Sequence, residues 1–225
     1  MKKALIINFK TYPTGTGAQA EKLAKLCSKV AAASKEVDVM LAVQAADIGR
    51  VARAAPHCKI LAQHVDAISP GKNTGWLLPE SAKESGAIGT LLNHAEHRLS
   101  PDTLKACIAR AKEAGLFTAA CADTADNSAK IAAMVPDCIA IEDPELIGGK
   151  VSVSTANPNL ITDAVRKIKA VADIPALCGA GVNSKDDMKM AVKLGTLGGL
   201  VANAVMSAEN PRKMVEELVA GIAGK

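Results

Sequence analysis

Residues 4 to 12 read Ala4-Leu5-Ile6-Ile7-Asn8-Phe9-Lys10-Thr11-Tyr12, an apolar run followed directly by polar side chains. The branched residues of the run favour a buried β-strand that ends near Phe9. Open parallel sheets that bind dinucleotides carry a Gly-x-Gly-x-x-Gly turn after this first strand. No glycine stands in that place here, so the segment favours a closed barrel over an open, doubly wound sheet.

The rest of the chain alternates short apolar runs with longer amphipathic runs, eight of each. The apolar runs predict strands near residues 4–9, 37–43, 59–64, 88–93, 117–121, 138–141, 175–178 and 199–202. Helices are predicted near 18–34, 46–55, 79–84, 101–114, 124–134, 157–171, 185–194 and 211–222. Strands that alternate with helices form parallel sheets, so we expect an α/β fold, a single (β/α)₈ barrel that forms one domain over residues 1–225.

Several helix ends carry local signals that agree with this division. Ser100-Pro101 and Asn210-Pro211 place an N-cap residue before a proline at the first helical position. Gly86, Gly115 and Gly195 follow the predicted ends of three helices. A glycine at this position adopts the left-handed backbone conformation of a C-terminal cap without steric strain. Ser154 and Thr155 are predicted to cap the sixth helix.

The composition excludes several classes of protein. Hydrophobic residues make up 49% of the chain, enough for a full core. The net charge of +4 is spread along predicted helices, and 2% aromatic residues leave few stacking platforms, so no nucleic-acid partner is expected. The six cysteines include no C-x-x-C pair, which predicts buried thiols, no metal site and a cytoplasmic protein. The first apolar run is too short for a signal peptide or a membrane span.

Polar residues and small residues stand where the predicted strands end, the edge of a barrel that carries its working groups. Asn8 and Lys10 follow strand 1, Asn93-His94-Ala95-Glu96 follows strand 4, and Gly179-Ala180-Gly181 and Ala202-Asn203-Ala204 follow strands 7 and 8. A lysine can hold negative charge, a histidine can polarise a carbonyl, and glycine-rich backbone can bind phosphate.

The stretch Ala140-Ile141-Glu142-Asp143-Pro144-Glu145-Leu146-Ile147-Gly148-Gly149 adds a carboxylate at the end of strand 6. Pro144 forbids continuation of the strand, and Gly148-Gly149 permit backbone angles closed to other residues, so the loop is predicted to move as a lid. A carboxylate at the base of a lid is suited to proton removal. The residues alone indicate proton abstraction next to a carbonyl in a phosphorylated substrate.

These segments, together with Ala62-Gln63-His64-Val65-Asp66 and Cys178-Gly179-Ala180-Gly181, resemble the triosephosphate isomerase family, in its short archaeal branch. The resemblance covers essentially the whole chain and implies a TIM barrel. It implies a metal-free, cofactor-free enzyme that interconverts dihydroxyacetone phosphate and glyceraldehyde 3-phosphate, and that self-associates as a dimer or tetramer.

The resemblance also implies roles for individual residues. Glu142 would be the base, His94 a neutral electrophile at a short helix beginning near Ala95, and Lys10 a cation that holds substrate; a Glu base paired with a neutral His is a known pattern in this enzyme. The remaining substrate contacts would come from Asn8, Phe9, Ile147, Gly148, Gly181, Ala202 and Asn203.

The chain departs from the family pattern in two places. The archaeal form usually has Asn-His-Ser-Glu-Arg-Arg, where this chain has Ala95 and His97. It usually has Ala-Ser-Gly at the end of strand 8, where this chain has Asn203 and Ala204; an alanine there adds a methyl group and forbids angles that glycine permits. These departures motivate an alternative hypothesis, a catalytically degenerate homologue that binds a sugar phosphate or a protein partner without turnover. A third possibility is another phosphate-using barrel enzyme.

Neighbouring polar residues are interpreted as structural. Glu96 is expected to form an ion pair with Lys10 or Arg98. His64 and Asp66 are expected to organise a loop. His57 is assigned no function.

Overall fold

The computed structural model describes residues 1–142 and 153–224. Within these ranges eight parallel strands follow one another around a closed barrel, and the first strand pairs with both the second and the eighth. The strands are β1 (Lys3–Asn8), β2 (Val37–Val43), β3 (Lys59–Ala62), β4 (Gly89–Leu92), β5 (Phe117–Ala122), β6 (Cys138–Ile141), β7 (Ala176–Cys178) and β8 (Gly198–Val201). The predicted α/β barrel is confirmed.

Helices surround the barrel. They are α1 (Gly17–Ala33), α2 (Ile48–Ala54), α3 (Pro79–Glu84), α4 (Pro101–Glu113), α5 (Ala125–Ala132), α6 (Val153–Ala156), α7 (Pro158–Val171), α8 (Lys185–Lys193), α9 (Asn203–Met206) and α10 (Pro211–Ala223). Each of the eight strands and eight longer helices predicted from the alternating pattern is present, with ends that differ by at most two residues. The short helices α6 and α9 and two single 3₁₀ turns, Pro13–Gly15 and Ala45–Asp47, were not predicted. In the described ranges no helix combines the length and the apolar character that a membrane crossing requires.

The core has two layers because side chains alternate along each strand. Ala4 and Ile6 belong to the cluster inside the barrel, and Leu5 and Ile7 belong to the larger layer between strands and helices. The inner cluster is small and apolar, formed by Ala4, Ile6, Met40, Ala42, Leu61, Leu91, Ala119, Cys121, Cys138, Ala140, Leu177 and Leu200. The barrel is therefore a packed core, and its open end is the place for a site.

Glycine closes the barrel between its first and last strands. Gly198 has a φ of 140°, and a Cβ atom on it would lie 2.0 Å from the carbonyl oxygen of Ala4. Any larger residue would push β8 away from β1, because the atom that its Cβ would meet belongs to the β1 backbone and has no side-chain freedom to move aside.

The helix caps agree with the sequence signals, with one correction. Ser100 and Asn210 accept hydrogen bonds from the backbone of Thr103 and Lys213. Asn157, directly before Pro158, caps α7 by accepting from the backbone N–H of Leu160 at 3.3 Å. The prediction that Ser154 and Thr155 cap this helix is wrong because both lie in α6, a separate turn that ends before Asn157.

Candidate active site

A cleft opens at the carboxyl ends of the strands. Its walls come from the ends of β1, β4, β6, β7 and β8, and its described lining residues are Asn8, Lys10, His94, Glu142, Gly179, Gly181, Val182, Asn183, Leu200, Val201, Ala202, Asn203 and Ala204. The cleft thus brings together the described site residues expected from the sequence, with the exception of Phe9.

Glu142 lies one residue past β6 and continues the inward-facing series of Cys138 and Ala140. Its side chain is almost completely buried, and it fits because Gly179 has no side chain: a Cβ there would lie 2.6 Å from the Glu142 Cγ. Burial raises the pKa of Glu142 to about 7, although the Cys121 thiol and the Ala95 backbone act in the opposite direction. The Oε2 atom has no hydrogen-bond partner among the described residues.

His94 faces Glu142 across the cleft. Its Nε2 atom lies 3.5 Å from Glu142 Oε1, and its Nδ1 atom accepts a hydrogen bond from the backbone N–H of Glu96 at 3.1 Å. A neutral imidazole whose Nδ1 accepts must carry its proton on Nε2, so the cleft receives an N–H donor. Burial, and then the charge of Lys10, lower the pKa of His94 to about 4, which keeps the ring neutral at pH 7.

The helix that was expected to begin near Ala95 is absent. Residues 95–97 form a turn in which the His97 N–H donates to the His94 carbonyl at 2.8 Å. The turn arises because Asn93 takes a φ of 59°, which ends β4 at Leu92 and changes the direction of the chain. The helix terminus was expected to keep His94 neutral. In the structure the ring is kept neutral by its burial and by the hydrogen bond that Nδ1 accepts from the Glu96 N–H.

The ammonium group and the backbone of Lys10 are bound by different residues. Lys10 Nζ forms an ion pair with Glu96 Oε1 at 2.7 Å, which confirms the expected structural role of Glu96. The Lys10 N–H donates to Asn8 Oδ1 at 3.0 Å, and the Lys10 carbonyl accepts from Gln63 Nε2 at 2.9 Å. The Lys10 side chain is 14% exposed and lines the cleft.

The far wall of the cleft is made of backbone and small residues. Gly181, after β7, has a φ of 66°, which L residues rarely adopt. Ala202 precedes α9, and Asn203 begins it; Asn203 Oδ1 accepts from Ser207 Oγ at 2.8 Å. Ala204 lies within α9 and is not among the residues with a positive φ. The expected backbone conflict at Ala204 is therefore wrong, and only its methyl group distinguishes it from glycine.

One predicted contact among the described residues, Phe9, does not line the cleft. Phe9 has no exposed surface and packs between the strands and the helices, because it alternates with the inward-facing Asn8. It therefore offers no side-chain contact to a ligand in the cleft. Ile147 and Gly148 lie outside the described residues.

His64 and Asp66 organise a loop, as expected. His64 Nε2 lies 3.1 Å from Asp66 Oδ1, and Asp66 Oδ2 accepts from the backbone N–H of Leu77 at 2.7 Å, which joins the two ends of the loop between them. His97, one of the departures from the family pattern, packs its ring against His64 with centroids 4.4 Å apart.

Sequence reasoning missed three residues that shape the site. They are Gly179, Gln63 and Cys121, for which the sequence predicts no individual role in the site. Cys121 continues the inward-facing series of β5 and contacts Glu142, so period-2 alternation was a usable signal for it. Among the residues that the structure describes, no three His, Cys, Asp or Glu side chains are arranged to hold a metal ion.

Comparison with known proteins agrees with the geometry. A family profile described as triosephosphate isomerase matches residues 3–218. The chain is 41% identical to the triosephosphate isomerase of Methanobacterium bryantii, over 97% of this chain and 96% of the relative. It is also 41% identical to that of Methanothermobacter thermautotrophicus, over 97% and 95%. The crystal structure of triosephosphate isomerase from Bartonella henselae has the same fold, with a TM-score of 0.76, 20% identity and complete coverage of both chains.

Proposed function

The chain belongs to the triosephosphate isomerase family, and we propose that its interconversion of dihydroxyacetone phosphate and glyceraldehyde 3-phosphate is carried by Glu142, His94 and Lys10. The observation that supports these roles best is the pair formed by Glu142 and His94, a buried carboxylate 3.5 Å from an imidazole Nε2. One group is ready to accept a proton and the other to donate a hydrogen bond. These are the two functions that an enediolate intermediate requires.

The proposed reaction begins with removal of a carbon-bound proton. Glu142 takes the proton from the hydroxymethyl carbon of dihydroxyacetone phosphate, and the electron pair moves onto the neighbouring carbonyl oxygen. His94 Nε2–H stabilises the negative oxygen, and the Lys10 ammonium adds positive charge nearby. The proton on Glu142 then returns to the adjacent carbon, while the hydroxyl proton moves between the two oxygens. The product is glyceraldehyde 3-phosphate.

The pKa values of the two groups suit this division of labour. A general base is most effective when its pKa lies near the working pH, and the pKa of Glu142 is about 7. The pKa of His94 is about 4, so the ring is neutral at pH 7. It therefore donates a hydrogen bond to the enediolate oxygen without protonating it. Burial of both groups in one small cleft is the shared physical cause of the two opposite shifts.

The phosphate group is proposed to bind against Gly181, Ala202 and Asn203, where the chain leaves β7 and β8 and the cleft is lined by glycine and alanine residues. Asn8 would contact the triose itself. Ile147 and Gly148 remain proposed contacts from a lid, supported by the adjacent glycines of the sequence. Closure of such a lid would exclude water from the enediolate.

We further propose a homo-oligomer, a dimer or a tetramer, in the cytoplasm. Trp76, in the loop that follows β3, is 62% exposed, and a large exposed aromatic side chain is suited to contact with a second copy. All six cysteines are free, and burial raises the pKa of thiols such as Cys178, which suits a reducing compartment. Light scattering of the wild-type protein and of Trp76→Ser tests the assembly: a monomeric wild-type protein would contradict it.

The activity is tested by following glyceraldehyde 3-phosphate formation in a coupled assay, with the reaction also run in D₂O. Glu142→Gln should lose at least roughly 10²-fold in kcat, the low end for loss of a general base. Glu84→Gln, the same change on an exposed helix end, is the matched control and should retain activity.

A proton held on a carboxylate can exchange with solvent before it is returned, so deuterium should appear on the former carbonyl carbon of the product. Turnover with no deuterium incorporation would contradict the proton-transfer mechanism. Folded wild-type protein without turnover would favour the degenerate-homologue hypothesis, which the intact set of base, electrophile and cation makes the weaker choice.

A further inference from the structure

Lys10 holds a backbone conformation that it would not adopt by itself. Its φ is 45°, in the left-handed region that residues with long side chains rarely occupy. Such a conformation persists only where neighbouring groups hold it, and residues of this kind concentrate at functional sites. The position of the Lys10 ammonium therefore depends on whatever holds the backbone of residue 10.

Gln63 supplies the hold on this backbone. It lies one residue past β3, and its single Nε2 atom donates to the Lys10 carbonyl at 2.9 Å. The same atom lies 3.2 Å from Asn8 Oδ1 and 3.4 Å from the Ala42 carbonyl. An amide nitrogen carries two N–H donors without a charge, which suits a position surrounded by acceptors and close to an ammonium group.

The Asn8 side chain completes the arrangement. Asn8 Oδ1 accepts from Gln63 Nε2 and also from the backbone N–H of Lys10 at 3.0 Å. Both backbone polar groups of Lys10 are therefore satisfied, one directly by Gln63 and the other through Asn8. The far end of Lys10 is fixed independently, by the 2.7 Å ion pair with Glu96.

We propose that Gln63 is a positioning residue for the isomerase reaction: its amide holds the strained Lys10 backbone and the Asn8 side chain, and so aims the Lys10 ammonium into the cleft. This inference rests on the role proposed for Lys10. Gln63 itself does not line the active-site cleft, and it acts on the substrate only through its two neighbours.

Removal of the amide has a specific kinetic signature. A displaced ammonium group weakens the hold on the negatively charged substrate, so KM should rise more than kcat falls. The charge of Lys10 also lowers the pKa of Glu142, so its displacement should move the acid limb of the kcat/KM profile to higher pH. A residue that only filled space would change stability without moving the pH profile.

The experiment compares Gln63→Met with Gln44→Met. Methionine keeps the length of the side chain and removes both donors. Gln44 follows the neighbouring strand β2 and lines, with Gln63, a second cavity beside the active-site cleft. Its side chain donates to Thr16 Oγ1 at 2.9 Å. Gln63→Met should lose about 10²-fold in kcat/KM, as misplacement of a binding group by about 1 Å can cause. Inhibition by inorganic phosphate should weaken with KM, and Gln44→Met should behave as wild type.

Wild-type KM and phosphate inhibition in folded Gln63→Met would overturn the proposal, as would an equal loss in Gln44→Met. If Gln63→Met does not fold, Gln63→Glu replaces it, because glutamate keeps the shape but presents oxygen to the Lys10 carbonyl. Wild-type constants in Gln63→Glu would equally overturn it. If the wild-type protein shows no turnover, the proposed function fails separately, and calorimetric binding of inorganic phosphate to the same variants still decides the role of Gln63.

Discussion

Glu142→Gln is expected to stabilise the fold at the same time as it removes activity. The carboxyl of Glu142 is about 1% exposed, and its pKa rises from the ordinary 4.5 to about 7. Because its folded-state pKa lies above the unfolded one, the native state holds its proton more tightly. That contribution to stability is fully present below about pH 4.5 and is lost as the pH rises through 7.

The size of this loss follows from the shift. At about 1.4 kcal/mol per pH unit, the ionised carboxylate costs the wild-type protein about 3 kcal/mol of unfolding free energy at pH 8. At pH 5 the cost is under about 1 kcal/mol, since the buried group is still protonated. Glutamine has nearly the shape of the protonated acid and does not ionise. The gain in Glu142→Gln should therefore grow with pH, to about 10 °C in Tm at pH 8 for a chain of this size.

The assay is thermal and urea unfolding of both proteins at pH 5 and pH 8, at one protein concentration. Glu80→Gln is the control with the opposite sign. Glu80, which is half-buried, forms a 2.7 Å ion pair with Arg110 that lowers the pKa of its carboxyl, so the variant should lose stability at pH 8. A gain in Glu142→Gln that does not change between pH 5 and pH 8 would refute the argument, because burial of charge would then not be its cause.

Three further predictions concern the site and the fold. The value of kcat/KM should rise with pH through an apparent pKa near 7, set by Glu142, while His94 stays neutral; a flat profile from pH 6 to 8 would contradict these assignments. Ala204→Gly should strengthen inhibition by inorganic phosphate, because a methyl group leaves the wall of the cleft; unchanged inhibition would argue against phosphate binding there. Val135→Gly should raise the unfolding free energy by about 1 kcal/mol, since Val135 is exposed and β-branched with a φ of 57°; a lower Tm would show that the turn is not strained.

Half of the site could be predicted from alternation along the strands. The series Ala4, Ile6 and Asn8 faces into the barrel, and so does the series that ends at Glu142. A polar residue that continues an inward-facing apolar series past the end of a strand must lie at the mouth of the barrel. The barrel was predicted from eight repeats of an apolar run followed by an amphipathic run, and this prediction does not depend on the identity of any single residue.

The backbone angles of the site could not be predicted, because they depart from regular strand geometry. Lys10 and Asn93 take left-handed conformations, and His94 lines the cleft although alternation from the inward-facing Leu91 would turn it outward. No local pattern indicates a positive φ at a lysine; it is imposed by Gln63, a residue 53 positions away. The tautomer of His94 likewise depends on one backbone N–H in a turn that sequence reasoning took for a helix.

The departure at Ala95 and the high pKa of Glu142 are parts of one arrangement. The Ala95 backbone contributes a hydrogen bond that lowers the pKa of Glu142, but its side chain has no hydroxyl to add another. Within the described ranges Glu142 Oε2 has no hydrogen-bond partner, although it is buried. An unpartnered carboxylate oxygen destabilises the charged form and makes the group a stronger base. The burial that costs stability at neutral pH therefore also favours removal of a proton from carbon, because it raises the pKa of the Glu142 carboxyl.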